Sequence, residues 1–168
     1  MTEKELVLGC LLNKRTHQKE FFNQYSKKVN AIIIRYCGTN DEIILDVFRY
    51  VFNNFKLINE DKPVMDWLRV FVATYCVNYI KYDKQIELSN QELNVSNDMV
   101  KNISLSGKEM VEMINQLPLI QKLVFNLFVV EGLTIEEVSS LLEFDVDNIN
   151  QELTNARENL KKLLENQK

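Results

Sequence analysis

Between Glu131 and Glu158 the chain carries eight acidic side chains, Glu131, Glu136, Glu137, Glu143, Asp145, Asp147, Glu152 and Glu158, against a single base, Arg157. Such a surface repels a nucleic-acid backbone, because affinity for phosphates comes from Lys and Arg that displace condensed counterions. It attracts a basic protein surface instead. Asn150 and Asn155 in the same stretch have amides that can pair with adenine in a major groove. Without phosphate contacts to hold the register, that readout is weak. The opposite chemistry gathers upstream, where Lys27, Lys28, Arg35, Arg49, Lys56, Arg69, Lys81 and Lys84 offer cations, and Tyr75, Tyr79 and Tyr82 offer rings for unpaired bases to stack on. A solvated surface explains the isolated lysines, and core packing the rings, at least as well. The asymmetry is general: residues 1–84 hold 13 bases and 10 acids, net +3, and residues 85–168 hold 7 bases and 14 acids, net −7.

Other chemistry finds little to stand on. His17 is the only histidine and has no Cys or acidic cluster at metal-ligand spacing around it. No phosphate-cradling glycine loop, nucleophile elbow or paired-carboxylate motif occurs, so neither an enzyme nor a cofactor is expected. Cys10, Cys37 and Cys76 are odd in number and set in apolar stretches, which suits reduced thiols packed in a core. The chain opens on no basic-then-apolar signal, and its apolar runs are too short to span a bilayer, so a cytoplasmic protein without membrane contact is expected.

The elements that must position these residues are all helices. Hydrophobic residues make up 46% of the chain, enough for real cores, while four Gly, two Pro and the lack of alternating strand patterns argue for an all-α fold. Thr2 with Glu5 makes a capping box ahead of a first helix bearing Leu6, Val7, Cys10 and Leu11. A second helix is predicted from Thr16 to about Arg35 and stopped by Gly38; a third follows a Thr39–Glu42 capping box and runs to Phe55; Pro63 suits the first turn of a fourth, through Trp67 to Ile80. Residues 85–108, rich in Asn, Ser, Gln and Glu, read as a linker with at most a short helix. Thus residues 1–84 form one helical domain and 109–168 another. The second has a helix near Lys108, a longer one over Leu119–Val130 ended by Gly132, and a Thr134–Glu137 capping box before Ile135–Leu142. A turn at Glu143 and Phe144 leads to a last helix capped by Asp145, with Val146, Ile149, Leu153, Ala156, Leu160 and Leu163 as its apolar stripe. The final pair outlines a helix-turn-helix.

Taken in order, these segments resemble the extracytoplasmic-function group of bacterial RNA polymerase sigma factors. FFNQYSKKVNAIIIRY looks like the family's opening core helix, and DEIILDVFRYVFNNF like the helix that docks on the polymerase clamp. DWLRVFVATYCVNYIKYDK is similar to the helix that meets the opened promoter, and INQLPLIQKLVFNLFVVEGLTIEEVSSLL follows the family's C-terminal pattern. The resemblance implies polymerase contacts at Asp41, Glu42, Asp46, Phe48, Arg49, Phe52, Val124 and Phe128, and DNA contacts at Trp67, Arg69, Asn78, Lys81 and Lys84, with Asn150 and Asn155 as weak readers. There are departures. Leu45 stands where the family has Gln, Val70 and Thr74 replace a base and an Asn, Glu143 fills a turn usually given to a small residue, and Asn150, Glu152 and Asn155 replace bases.

The resemblance therefore implies a sigma subunit that binds core RNA polymerase and helps recognise and open promoter DNA, mainly through residues 1–84. An anti-sigma factor is a further partner of such proteins. The acidic second domain adds an expectation of its own: site choice delegated to a DNA-targeting protein, RNA-guided or a conventional activator. The rival is a sigma-derived regulatory or protein-interaction module that does not initiate transcription. A plain helix-turn-helix repressor is disfavoured, since its reading helix would be the acidic one.

Overall fold

A computed structural model describes residues 1–38, 41–58, 62–83 and 107–166. All regular structure among them is helical, in two compact units, Met1–Ile80 and Lys81–Lys168.

In the first unit, α1 (Glu3–Leu11) opens on the expected box: Thr2 Oγ1 accepts from Glu5 N at 3.2 Å, and Glu5 Oε2 from Thr2 N at 2.8 Å. Asn13, in the left-handed region at φ 53°, turns the chain into α2 (Arg15–Cys37). The α2 residues Phe21, Tyr25, Val29, Ile32, Ile33 and Tyr36 recur three and four apart, so one face goes inward and all six are buried. At a rough 1.5–3 kcal/mol for each large apolar side chain removed from water, this stripe outweighs every polar contact in the unit. Tyr25 does keep a partner, donating its hydroxyl to Glu3 Oε1 at 2.7 Å and tying α1 to α2. Gly38, at φ 72°, ends the helix as expected. Then come α3 (Asp41–Asn53), a 3₁₀ turn at Phe55–Leu57, and α4 (Val64–Asn78), followed by a π turn at Tyr79–Asp83 whose last three residues fall in the second unit. The predicted Thr39–Glu42 box falls outside the described residues. Pro63 sits one place earlier than expected, at the N-cap of α4 rather than inside its first turn. Against α2, α4 buries Leu68, Val72, Ala73, Cys76 and Val77.

The second unit holds α5 (Gly107–Asn115), α6 (Leu119–Phe125), α7 (Ile135–Leu142) and α8 (Val146–Glu165). Met113, Ile114 and Leu117 pack with Ala156 and Leu160 into a core, to which Phe125 and Leu163 add their edges. Two expectations need correcting. The helix from Leu119 is not α-helical through Val130: it widens into a π turn at Asn126–Val130, closed by Glu131 N to Asn126 O at 2.9 Å. The wider turn offsets the register, and neighbours Asn126 and Leu127 are both fully buried. Val146 is not part of the buried stripe of α8 but 39% exposed, because it opens the helix one turn ahead of the packed positions. The linker region lies almost wholly outside the described residues. Among the described residues no helix is long and apolar enough to cross a membrane.

Gly9 shows how closely α1 meets α2: an added Cβ would stand 1.9 Å from His17 Cδ2. Gly9→Ala should destabilise the chain by about 1–3 kcal/mol, read from the urea midpoint. The double change Gly9→Ala with His17→Ala should recover most of that loss.

Candidate functional sites

On α3 the inward residues are Ile43, Val47, Phe48 and Val51, all buried. Phe48 meets Phe22 at 4.6 Å and Phe52 at 6.0 Å between ring centroids. It is 3% exposed, so it seats the helix rather than presenting a surface to a partner. Phe52 is half-buried. The outward face carries Glu42, Leu45, Asp46 and Arg49, with Leu45 55% exposed and Arg49 Nη1 2.8 Å from Asp46 Oδ1. An exposed leucine flanked by paired charges is a rim-and-anchor arrangement suited to a protein partner. The side chain of Asp41 lies outside the described residues.

Along α4, Trp67 stacks on Phe71 at 4.5 Å and Phe71 on Tyr50 of α3 at 4.8 Å, with ring planes 23° and 24° apart. Tyr50 also meets Tyr75 at 5.1 Å, and Trp67 meets Phe55 edge-on at 5.8 Å. These rings, half-buried except for the buried Phe55, fasten α3 and the 3₁₀ turn after it to α4. Trp67 thus spends one face on packing. Arg69 and Asn78 are half-buried on the same helix, and Lys84 lies outside the described residues.

In the second unit Val124 is fully buried and Phe128 half-buried. The apolar side chain that reaches solvent beside them is Val129, 47% exposed on the π turn. At the helix-turn-helix, Thr134 and Glu137 form the predicted box, with Thr134 N to Glu137 Oε2 at 2.7 Å and Glu137 N to Thr134 Oγ1 at 3.2 Å. Asp145 caps α8, accepting from Asn148 N at 2.8 Å. Between them Glu143 adopts φ 61°, ψ 35°, a left-handed turn that Ser139 braces by donating Oγ–H to Phe144 O at 2.6 Å. Two of the acids that make this region negative therefore serve the helix ends that carry partial positive charge. Glu131 is buried, whereas Glu136, Glu137, Glu143, Asp145, Asp147 and Glu158 are exposed and Glu152 half-buried. Asn150 is exposed on α8. Half-buried Asn155 accepts at Oδ1 from Gln151 Nε2 at 2.9 Å, which occupies an acceptor that base reading would use.

Sequence reasoning placed Lys81 among exposed nucleic-acid contacts. The structure gives it a partner: Lys81 Nζ lies 2.5 Å from Glu143 Oε1 and 3.4 Å from Leu141 O, with its side chain only 10% exposed. Tyr82 OH donates to the same Glu143 oxygen at 3.4 Å. The hydrogen bond and charge of Lys81 hold the Glu143 carboxyl below its usual range. A depressed carboxylate supports the fold above its unfolded pKa, and that support fades as pH falls through the lowered folded value. Glu143 should therefore titrate at lower pH in the wild-type chain than in Lys81→Ala, followed by carboxyl-carbon NMR.

Residues 108–160 match the family model described as Sigma-70, region 4. No curated protein matches the chain in sequence. Among solved structures the chain is similar to CnrH, solved in complex with the cytosolic domain of CnrY, at 13% identity and TM-score 0.53 over 99% of each chain. It is also similar to the sigma factor RpoE of Bartonella quintana, solved in complex with the anti-sigma factor NepR, at 14% identity and TM-score 0.54, covering 88% of this chain and 96% of that one. The chain thus shares the two-domain helical fold of these sigma-factor structures, and its residues 108–160 match the sigma-70 region 4 family.

Proposed function

We propose that the protein is a sigma subunit that binds core RNA polymerase, brings it to promoters and helps open the duplex. The observation that carries this reading is the sigma-factor fold over both units together with the region 4 match. In this reading the outward face of α3 (Glu42, Leu45, Asp46, Arg49) docks on polymerase, and Asp41 belongs with it. Phe48 and Phe52 act by holding that helix in place. Val129 and Phe128, seated by buried Val124, make a second contact. Trp67, Arg69, Asn78, Lys81 and Lys84 meet the melted strand.

The acidic face of α7 and α8 supports a further element. Six exposed carboxylates on these helices and the turn between them are poorly suited to phosphate and well suited to a basic protein surface. We assign to this face a DNA-targeting partner that supplies the upstream recognition α8 lacks. An RNA-guided protein fits, as does a conventional activator. An anti-sigma factor is a third kind of partner, in line with the NepR bound to RpoE.

The test is transcription with purified core polymerase and a melted-bubble template. The sigma reading expects chain-dependent initiation; polymerase binding without initiation would leave the non-initiating regulatory module in its place. Leu45→Asp should weaken polymerase binding by about tenfold or more, the loss typical of an interface anchor, without moving the thermal midpoint. In pull-downs, deletion of residues 109–168 should abolish capture of the targeting partner; equal capture by residues 1–84 alone would reject the assignment to the acidic face. Glu152→Arg raises DNA affinity only if α8 faces DNA.

A further inference from the structure

We propose that Lys81 and Tyr82 form a binding site for a nucleic-acid phosphate, and that the chain's own Glu143 fills that site until the phosphate displaces it. The inference rests on the reading of residues 67–84 as a nucleic-acid face and adds a competitor to it.

Two donors of different kinds, the Lys81 ammonium and the Tyr82 hydroxyl, converge on one oxygen, Glu143 Oε1, at 2.5 and 3.4 Å. A carboxylate oxygen at such a point has the charge and acceptor chemistry of a non-bridging phosphate oxygen. Lys81 is nine-tenths buried and lies 5.3 Å from the Tyr82 ring centroid, so the site is built around the cation rather than sketched on a flexible surface. An ammonium so placed needs an anion, because a desolvated charge is costly without one. The Leu141 carbonyl alone, at 3.4 Å, brings no charge.

Glu143 has the features of an occupant that leaves. Its side chain is 67% exposed, so it can swing into water without repacking the core. Its backbone is left-handed, where Gly or Asn would sit with less strain, so turn geometry does not account for a glutamate. The carboxylate has a use in that place beyond the turn. While it is there, Lys81 is unavailable to a phosphate; when a strand supplies one, Glu143 and the phosphate exchange places. All of these contacts lie within the second unit.

The experiment measures binding of a fluorescein-labelled single-stranded DNA oligonucleotide to the full chain by anisotropy over a range of salt concentrations. Glu143→Gly and Glu143→Asn both remove the carboxylate and suit the left-handed turn. Each should tighten binding by about fivefold. Lys81 would then neutralise one more phosphate, steepening log K against log salt by about 0.7. Adding Lys81→Ala to Glu143→Gly should cancel both changes. Glu136→Gln, which removes an exposed charge of α7 outside the Lys81–Glu143 pair, should do neither.

Unchanged binding in both Glu143 variants overturns the inference while leaving the nucleic-acid reading in place. So does an equal gain from Glu136→Gln, or a gain that survives Lys81→Ala. If neither the wild-type chain nor any variant binds the oligonucleotide, the reading of residues 67–84 fails and takes the inference with it.

Discussion

The apolar stripe of α2, from Phe21 to Tyr36, is the surface on which α1, α3 and α4 are all assembled. A helix with one buried face has only its other face for partners, and here that division is nearly complete. On α3 the aromatic and branched residues go inward, leaving Glu42, Leu45, Asp46 and Arg49 outside. The candidate docking face is thus a by-product of packing. It lies where α2 cannot reach, and its shape is as rigid as the core behind it.

Much of this was legible in the residues. Three- and four-residue spacing located the helices, and capping boxes at Thr2 and Thr134 and the cap at Asp145 fixed their starts to the residue. The helix-turn-helix followed from those caps and from the turn at Glu143. The π turns were not legible. Periodicity is blind to one extra residue in a turn when the residues on either side are all apolar, as in NLFVV. A family pattern also marks which positions matter without saying which way they face. Phe48 and Val124 sit in segments that the resemblance assigns to polymerase, yet both are buried in the core. The Lys81–Glu143 pair was hidden for another reason: its members are 62 residues apart, and only their opposite charges hinted at a meeting.

Charge in the second unit has two origins that are easy to confuse. Glu137 and Asp145 are bound to helix ends, where a carboxylate offsets unsatisfied amides, and they would be favoured whatever the domain binds. Asp147 and Glu158 make no comparable cap and leave their charge outward. Acidity required by helix termini and acidity available to a partner are thus superimposed on one surface. Reversing the outward residues therefore tests the proposed partner face at little cost to the fold, whereas reversing the caps confounds the two.

Asn126 stands apart from this economy of caps and stripes. It is fully buried at the start of the π turn, with neither side-chain nitrogen nor oxygen partnered among the described residues. When the turn opens, water satisfies both atoms at once, so opening here recovers free energy that opening the adjacent α6 does not. A buried amide of this kind contributes less to holding its turn closed than an apolar side chain of the same size would.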